Sequence, residues 1–209
     1  MSIAQNPLMG SMRKSMGNFT TMSYNGRNIV RSKAFNLKRK ISEAQEEQIQ
    51  RFSALAGVYN SFGGIIGEGF VENRKGLSAY NRFISANFKT AFTVTGNGAV
   101  INYPRLLISK GSLPGVKVSG SVTGGDGITI RYETQADLPV ALPTDMVVAF
   151  AEMRTGKLLL TRQERGSEET GSILIPCTNV RAEEIVCCYL FARSADGKKS
   201  SDSAFVAVE

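Results

Sequence analysis

Few residues in this chain have the types and spacing that catalysis needs. The sequence contains no His, which removes the commonest general acid or base and the commonest metal ligand. Adjacent carboxylates remain, among them the pairs Glu168 with Glu169 and Glu183 with Glu184. Because neighbours on a strand point to opposite faces, neither pair would converge on one substrate. We therefore expect a protein that is not an enzyme, with no catalytic residue, no bound metal and no cofactor.

The three cysteines, Cys177, Cys187 and Cys188, fit buried thiols better than a disulfide framework. Their number is odd, and adjacent cysteines on a strand point to opposite faces. Free buried thiols are typical of a reducing compartment. Residues 1–10 lack the regions of a signal peptide, and no apolar run approaches the ~20 residues of a membrane-spanning helix. These features predict a soluble chain made in the cytoplasm.

A glycine-rich run over residues 61–70, with the order Gly-Gly-x-x-Gly-x-Gly, invites comparison with a phosphate-binding loop. The order differs from that of such a loop, which also follows a strand and carries a Lys before Ser or Thr. Glycine permits sharp bends and close backbone approach. We therefore interpret the run as a flexible joint or as a place where a helix comes close to a neighbour.

Positive charge is concentrated at the start of the chain. The first forty residues contain eight Lys or Arg and no Asp or Glu, within a net charge of +7 for the whole protein. A basic segment of this kind suits acidic protein surfaces, nucleic acid or an anionic membrane. A solvated basic face is the alternative interpretation.

Residues 17–33 are predicted to form a β-hairpin, because Asn25-Gly26 is a strong two-residue turn signal between β-forming residues. Residues 1–16 show no helical or strand period and are predicted to be an extended arm. A polar terminus needs a partner to become ordered, so we assign partner binding to arm and hairpin residues: Met9, Met12, Arg13, Met16, Phe19, Tyr24, Arg27, Ile29, Arg31 and Lys33. Contacts with phosphate or an acidic surface are assigned to Lys38, Arg39, Lys40 and Arg51.

Two helices are predicted to follow as a hairpin. The first runs from Ser42 to about residue 57 or 59 and the second from about residue 78 to 89, each with apolar residues at helical spacing. The expected contacts between them are made by Phe52, Leu55, Phe83 and Phe88.

The remainder of the chain has the pattern of a β domain. One short apolar strand is expected within residues 102–115, and further strands near residues 116–122, 128–132, 146–153, 158–162, 171–176, 184–194 and 203–208. Short strands with regularly spaced turns predict an antiparallel β-sandwich of the fibronectin type III or immunoglobulin-like kind. The fold class is thus α+β, with a basic arm and β-hairpin over residues 1–41, a helical hairpin and connector over 42–104, and a β-sandwich over 105–209.

Several motifs occur together in one order along the chain: Gln45-x-x-Gln48-x-x-Arg51-Phe52, Tyr80-Asn81-x-Phe83, the run from Leu107 to Gly115, and Ala195-Asp196-Gly197 followed by Ser201-Asp202-Ser203. In these motifs the chain resembles the uncharacterised domain family numbered 6266, found in Bacteroidota genomes and their phages. One departure is Ala34, where members often have Pro. The resemblance implies a Bacteroidota or phage origin and a small non-enzymatic protein.

We therefore expect a structural or assembly protein, such as a head, neck or tail accessory component of a phage virion. Its N-terminal arm would dock on neighbouring protein subunits, with homo-oligomers expected and no membrane. The expected location is the virion, or the cytoplasm before assembly. The alternative is a nucleic-acid-associated protein that makes sequence-independent phosphate contacts through its basic half. An enzyme is the third and least favoured reading.

Overall fold

The computed structural model describes residues 2–4, 14–24, 27–33, 41–72, 76–95, 98–135, 138 and 140–208. The chain divides into two compact units, Met1–Ser42 and Glu43–Glu209. Within the described residues, no helix is both long and apolar enough to span a bilayer.

The first unit is a four-stranded antiparallel sheet. Its strands are β1 (Ser2–Ala4), β2 (Lys14–Met16), β3 (Phe19–Tyr24) and β4 (Arg27–Ser32), in the spatial order β1-β4-β3-β2. Tyr24 pairs with Arg27, which confirms the predicted hairpin, although its turn residues lie outside the described part. We predicted an extended arm without strands over residues 1–16, and the structure differs. Strand β1 pairs with β4 and strand β2 pairs with β3, so each extends the hairpin on one side. Strands of three residues are too short to show an alternating pattern in sequence.

The second unit begins with two helices, α1 (Glu43–Gly69) and α2 (Ala79–Asn87). Ser78 caps α2 by accepting a hydrogen bond from the Asn81 amide at 3.2 Å. Helix α1 continues through the glycine run, so the predicted end near residue 57 or 59 and the flexible joint are wrong. Its apolar residues in that run, including Phe62 and Ile66, are buried, and this burial outweighs the low helix propensity of glycine.

The predicted contact between the helices is correct for Leu55 and Phe83, both fully buried. Phe52 is not buried as predicted: it stays 46% exposed, although its ring meets the edge of the Tyr80 ring of α2 at 6.3 Å between centroids. Phe88 is half-buried against the core that contains Leu55 and Phe83. A short hairpin of β5 (Phe92–Thr95) and β6 (Gly98–Ile101) follows, where we expected only a connector.

Residues 106–116 contain no strand, contrary to the strand expected within residues 102–115. A 3-10 turn (Tyr103–Arg105) precedes this segment. Instead of a strand partner, the backbone of Leu107 pairs with the buried Asn87 side chain: the Asn87 amide donates to the Leu107 carbonyl and the Asn87 oxygen accepts from the Leu107 amide, each at 2.8 Å. The apolar character of the segment reflects burial of Leu106 and Ile108 without sheet pairing.

Two further antiparallel sheets complete the second unit. The strands are β7 (Lys117–Gly124), β8 (Gly127–Glu133), β9 (Met146–Met153), β10 (Leu158–Glu164), β11 (Thr170–Pro176), β12 (Ile185–Arg193) and β13 (Ala204–Phe205). One sheet has the order β11-β8-β7 and the other β10-β9-β12-β13. Every strand predicted after residue 115 is present, which confirms an α+β chain with antiparallel sheets.

The four-stranded sheet of this unit is buried on both faces. Cys188 and Leu190 pack in a cluster shared with the three-stranded sheet, whereas Cys187, Tyr189 and Phe191 pack in a second cluster with the helices. This is the alternation we predicted for β12. Phe62 of α1 meets the edge of Phe150 of β9 with ring centroids 5.0 Å apart. The helices therefore form a layer on one face of this sheet and share a core with it, whereas the three-stranded sheet shares a second core on the other face.

Candidate interaction surface

The predicted partner-binding residues fall mainly on the sheet of the first unit. Five of them are exposed: Phe19, Tyr24, Arg27, Arg31 and Lys33. Ile29 is half-buried, and Met16 lies in β2 with a side chain outside the described part. Met9, Met12, Arg13, Lys38, Arg39 and Lys40 also lie outside the described residues.

Strand register decides which of these side chains lie together. Cross-strand partners in an antiparallel pair share a face, and the partners here are Tyr24 with Arg27, Met22 with Ile29, and Thr20 with Arg31. These six residues form one face of the hairpin, which we name the Tyr24 face. It combines an aromatic ring, two apolar side chains and two guanidinium groups. Adjacent side chains on a strand point to opposite faces, so Phe19, next to Thr20 in β3, lies on the face opposite to the Tyr24 face.

Neither face of this sheet has an apolar core among its described residues. The one buried side chain there is that of Thr21, whose hydroxyl donates to the Lys14 carbonyl at 2.8 Å. Phe19 is 56% exposed, Tyr24 55% and Met22 40%. Small sheets normally depend on a buried apolar face for stability. In the described part of the first unit, Phe19, Met22 and Tyr24 are thus largely in solvent, and Ile29 and Val30 are half-buried.

Arg51, the remaining predicted phosphate contact, lies in α1 of the second unit. Its guanidinium forms an ion pair with Glu47 at 2.5 Å, one helical turn earlier, and lies 5.7 Å from the centre of the Phe92 ring. The Arg51 side chain already contacts the Glu47 carboxylate and the Phe92 ring, and it is mostly buried. Its positive charge is therefore largely neutralised within the second unit.

The cysteines form no disulfide. Burial raises the pKa of the Cys188 thiol to about 12 and raises that of Cys187 further, so both stay protonated and unreactive. The Cys187 sulfur lies 3.8 Å from a carboxylate oxygen of Glu152. Across the described part of the chain, no three His, Cys, Asp or Glu side chains are grouped closely enough to hold a metal ion.

Sequence reasoning missed a hub of serine hydroxyls that joins distant segments in the second unit. Ser109 donates to the carbonyls of Gly69 and Ser201 at 2.9 and 2.6 Å, and Ser200 donates to Gly69 at 2.6 Å. The Ser203 hydroxyl accepts from the Ile108 amide at 3.0 Å. The motifs quoted above from Leu107 to Gly115 and from Ser201 to Ser203 therefore meet at the end of α1. Each of the two motifs contains small polar residues, and this shared composition was the sign in the sequence that they could meet.

An ion-pair group also went unnoticed in the sequence. Glu68 near the end of α1 binds Arg162 of β10 through two oxygens, at 2.5 and 3.3 Å, and lies 3.4 Å from Arg193 at the end of β12. The group connects the helix layer to the four-stranded sheet. Because all three side chains are partly exposed, we expect only a modest contribution to stability.

A third polar group is fully buried. Arg165, just after β10, forms an ion pair with Asp145 at 3.6 Å and donates to the carbonyls of Pro114 and Gly115 at 2.5 and 3.0 Å. Burial lowers the pKa of the guanidinium, an effect opposed by Asp145. Tyr132 lies nearby, and burial raises the pKa of its hydroxyl. A lone Arg in a polar run gives no sign in sequence that it will be buried.

A model of a family of unknown function, DUF6266, matches residues 11–207. The chain belongs to this family. The match spans most of the first unit and nearly all of the second, and it confirms the family resemblance seen in the motifs. No curated protein and no solved structure matches the DUF6266 chain.

Proposed function

We propose that this DUF6266 protein is a non-enzymatic structural subunit that docks on neighbouring protein subunits through the sheet of its first unit. The observation that carries the proposal is the exposure of Phe19, Met22 and Tyr24 on a sheet in which strands β3 and β4 contain no fully buried apolar side chain. Contact with another subunit would supply the apolar cover that a small sheet needs.

The charge of the first unit favours an acidic protein neighbour. Its first forty residues carry eight basic residues and no acidic one, and Arg27 and Arg31 are exposed on the Tyr24 face. Complementary charge would steer and align the partner, while the aromatic and apolar side chains would be buried at the centre of the contact. A second copy of the chain is the first partner to test, because homo-oligomers are common among assembly proteins.

The setting we propose is a phage particle, in which the protein would be a head, neck or tail accessory component of a Bacteroidota phage virion, present in the cytoplasm before assembly. The family resemblance supports this setting. We also propose that the two sheets of the second unit are a fibronectin type III-like sandwich; their antiparallel pairing and shared core support it.

The test compares association of the full chain with that of a docking variant. Met22→Ala with Tyr24→Ala removes apolar groups from the Tyr24 face, and the matched control is Val122→Ala with Leu174→Ala, which removes exposed apolar groups from the second unit. We expect the docking variant to weaken oligomerisation, measured by light scattering and cross-linking, by about tenfold or more. Deletion of residues 1–33 should abolish it. Unchanged association after that deletion would show that the docking proposal is wrong.

Nucleic-acid binding is the second candidate, favoured by one observation: Arg27 and Arg31 share an exposed face with the Tyr24 ring. Guanidinium groups beside an aromatic ring suit phosphate contact with base stacking. Titration of duplex and single-stranded DNA at low and moderate salt tests it. Steeply salt-dependent binding that Arg27→Glu with Arg31→Glu removes would support this function, and no binding at low salt would exclude it.

A further inference from the structure

Helix α1 is covered by the core along only part of its length. Its buried residues all lie between Leu55 and Gly69. In the part that precedes them, from Glu43 to Ala54, no side chain is buried. At the usual rise per residue of an α-helix, this part is about 18 Å long. We name residues 43–54 the open segment of α1.

Two large apolar side chains lie in solvent on one side of the open segment. Ile49 is 55% exposed and Phe52 46%, and residues three positions apart lie on the same side of a helix. Glu46, three positions before Ile49, is exposed on that side as well. The edge of the Tyr80 ring meets Phe52 but leaves nearly half of it in solvent. Adjacent apolar side chains that stay exposed on a helix are typical of a surface that another element covers.

The open segment is acidic, whereas the Tyr24 face is basic. The segment contains three Glu and one Arg, a net charge of −2, and the Arg51 side chain is already paired with Glu47. The six residues of the Tyr24 face include two exposed arginines and no acidic residue. Each surface therefore combines exposed apolar side chains with a charge opposite to that of the other, which is the pattern of complementary interfaces.

The two surfaces also match in size and in kind. The cross-strand pairs of the Tyr24 face span about 13 Å along the strands, and the side chains from Glu46 to Phe52 span about 9 Å along the helix. A helix laid on a sheet is one of the standard ways in which proteins bury an apolar sheet face. Further along, α1 already covers a sheet in this way, where Phe62 packs against Phe150.

We propose that the Tyr24 face of one copy of the chain docks on the open segment of α1 in a second copy, a contact that rests on the docking function above and names its partner. Met22 and Tyr24 would cover Ile49 and Phe52 at the centre. The arginines of the Tyr24 face would lie beside Glu46 at the edge.

This contact joins two different surfaces, so it is head to tail. Every copy has one surface of each kind, and a pair of copies would still have one of each unused. Contacts of this type continue into a closed ring or an open filament, depending on the rotation between neighbouring copies. Such growth suits a subunit of a larger assembly, and it predicts that two chains damaged on different surfaces can still form one contact.

The experiment uses two full-length variants, each damaged on one surface. The docking variant, Met22→Ala with Tyr24→Ala, keeps its helix intact. The helix variant, Glu46→Lys with Ile49→Lys, keeps its sheet intact. Each alone should associate about tenfold more weakly than the parent chain, or worse. When they are mixed, one intact sheet meets one intact helix, so light scattering and native mass spectrometry should detect a 1:1 complex that grows no further.

A matched control separates the proposed surface from the charge of the helix. Glu43→Lys with Gln50→Lys makes the same change of charge at two exposed positions of the open segment. These positions are seven residues apart and share a side that excludes Ile49. The control should associate like the parent chain, and its urea midpoint should equal that of the helix variant, so that lost association reports the surface and not unfolding.

The outcomes distinguish this contact from docking in general. If the docking variant associates as well as the parent chain, the proposed docking function fails. If the docking variant is weakened and the helix variant is not, docking stands and the helix is the wrong partner. The helix contact is also overturned if the mixture forms no 1:1 complex, if the control loses as much association as the helix variant, or if the parent chain stays monomeric at every concentration.

Discussion

The protein contains two four-stranded antiparallel sheets that differ in how they are covered. The sheet β10-β9-β12-β13 is buried on one face by a second sheet and on the other by helices. In the sheet β1-β4-β3-β2, Thr21 is the one buried residue among those described, and large apolar side chains stay exposed. Equal strand number therefore gives very different amounts of buried apolar surface. In the first sheet Phe19, Met22 and Tyr24 stay largely exposed, whereas the second sheet is covered on both faces within its own unit.

The two sheets should differ most in how much stability is lost when one phenylalanine is removed from each. Phe150→Ala should destabilise the protein by about 3–5 kcal/mol, because Phe150 is fully buried against Phe62. Phe19→Ala should change stability by no more than about 0.5 kcal/mol, since Phe19 is largely exposed. Urea unfolding of the isolated protein measures both. Similar losses for the two variants would show that the first sheet is covered without a partner.

A glycine pair in α1 tests how closely the helix layer is fitted to its surroundings. A Cβ at Gly69 would lie 2.4 Å from the Ile108 carbonyl oxygen, whereas nothing lies within 4 Å of one at Gly64. Gly69→Ala should cost about 1–3 kcal/mol through overpacking. Gly64→Ala, the matched control, should stabilise by up to about 1 kcal/mol, because alanine favours helix. A stable Gly69→Ala protein would mean that the loop at Ile108 moves away at little cost.

Thiol reactivity compares the two sheets without changing a core residue. Cys187 and Cys188 lie on opposite faces of β12, are buried and have raised pKa values. In a Cys177→Ser background they should react with Ellman's reagent only when the protein unfolds. A cysteine placed at Tyr24→Cys should react at once and become protected when the docking partner binds. Slow reaction of that cysteine in the isolated protein would count against an open Tyr24 face.

The smallest expected effect concerns Glu152, which pairs with Cys187 across the covered sheet. Burial raises the pKa of its carboxyl above the ordinary value of 4.5. The folded protein then holds this proton more tightly than the unfolded chain, so stability falls as pH rises from 4.5 through the raised pKa. Glu152→Gln should match the parent protein below this window and be more stable above it. Parallel stability curves across the window, measured by urea unfolding, would contradict the assignment.

The parts of the fold that could be predicted are those in which short-range pattern and burial agree. The alternation along a strand assigned Cys187 and Cys188 to opposite faces, and the helical spacing of apolar residues placed the start of α2 near residue 78. The Asn25-Gly26 signal gave the hairpin of β3 and β4. In each case the local sequence alone determines the geometry.

The failures share a different cause, which is packing between residues far apart in sequence. The glycines of α1 left a flexible joint and a close approach to a neighbour as alternatives. Burial of Phe62 and Ile66 keeps the helix intact, and the close approach occurs at Gly69 against Ile108. The apolar residues from Leu106 to Ile108 suggested a strand, but the segment is held by Asn87, twenty residues earlier. The burial of Arg165 could not be predicted either, because it depends on Asp145 and on the carbonyls of residues 114 and 115.

The serine hub has a consequence for the order of events during synthesis. Gly69 and Ser200, joined by a hydrogen bond, are 131 residues apart. A ribosome adding about 5–20 residues per second needs on the order of ten seconds to reach the second residue after the first. During most of that interval the apolar side of α1 lacks the part of its cover that β12 supplies, since β12 is made only shortly before Ser200. The nascent chain should therefore expose part of the apolar surface of α1 until β12 has been made.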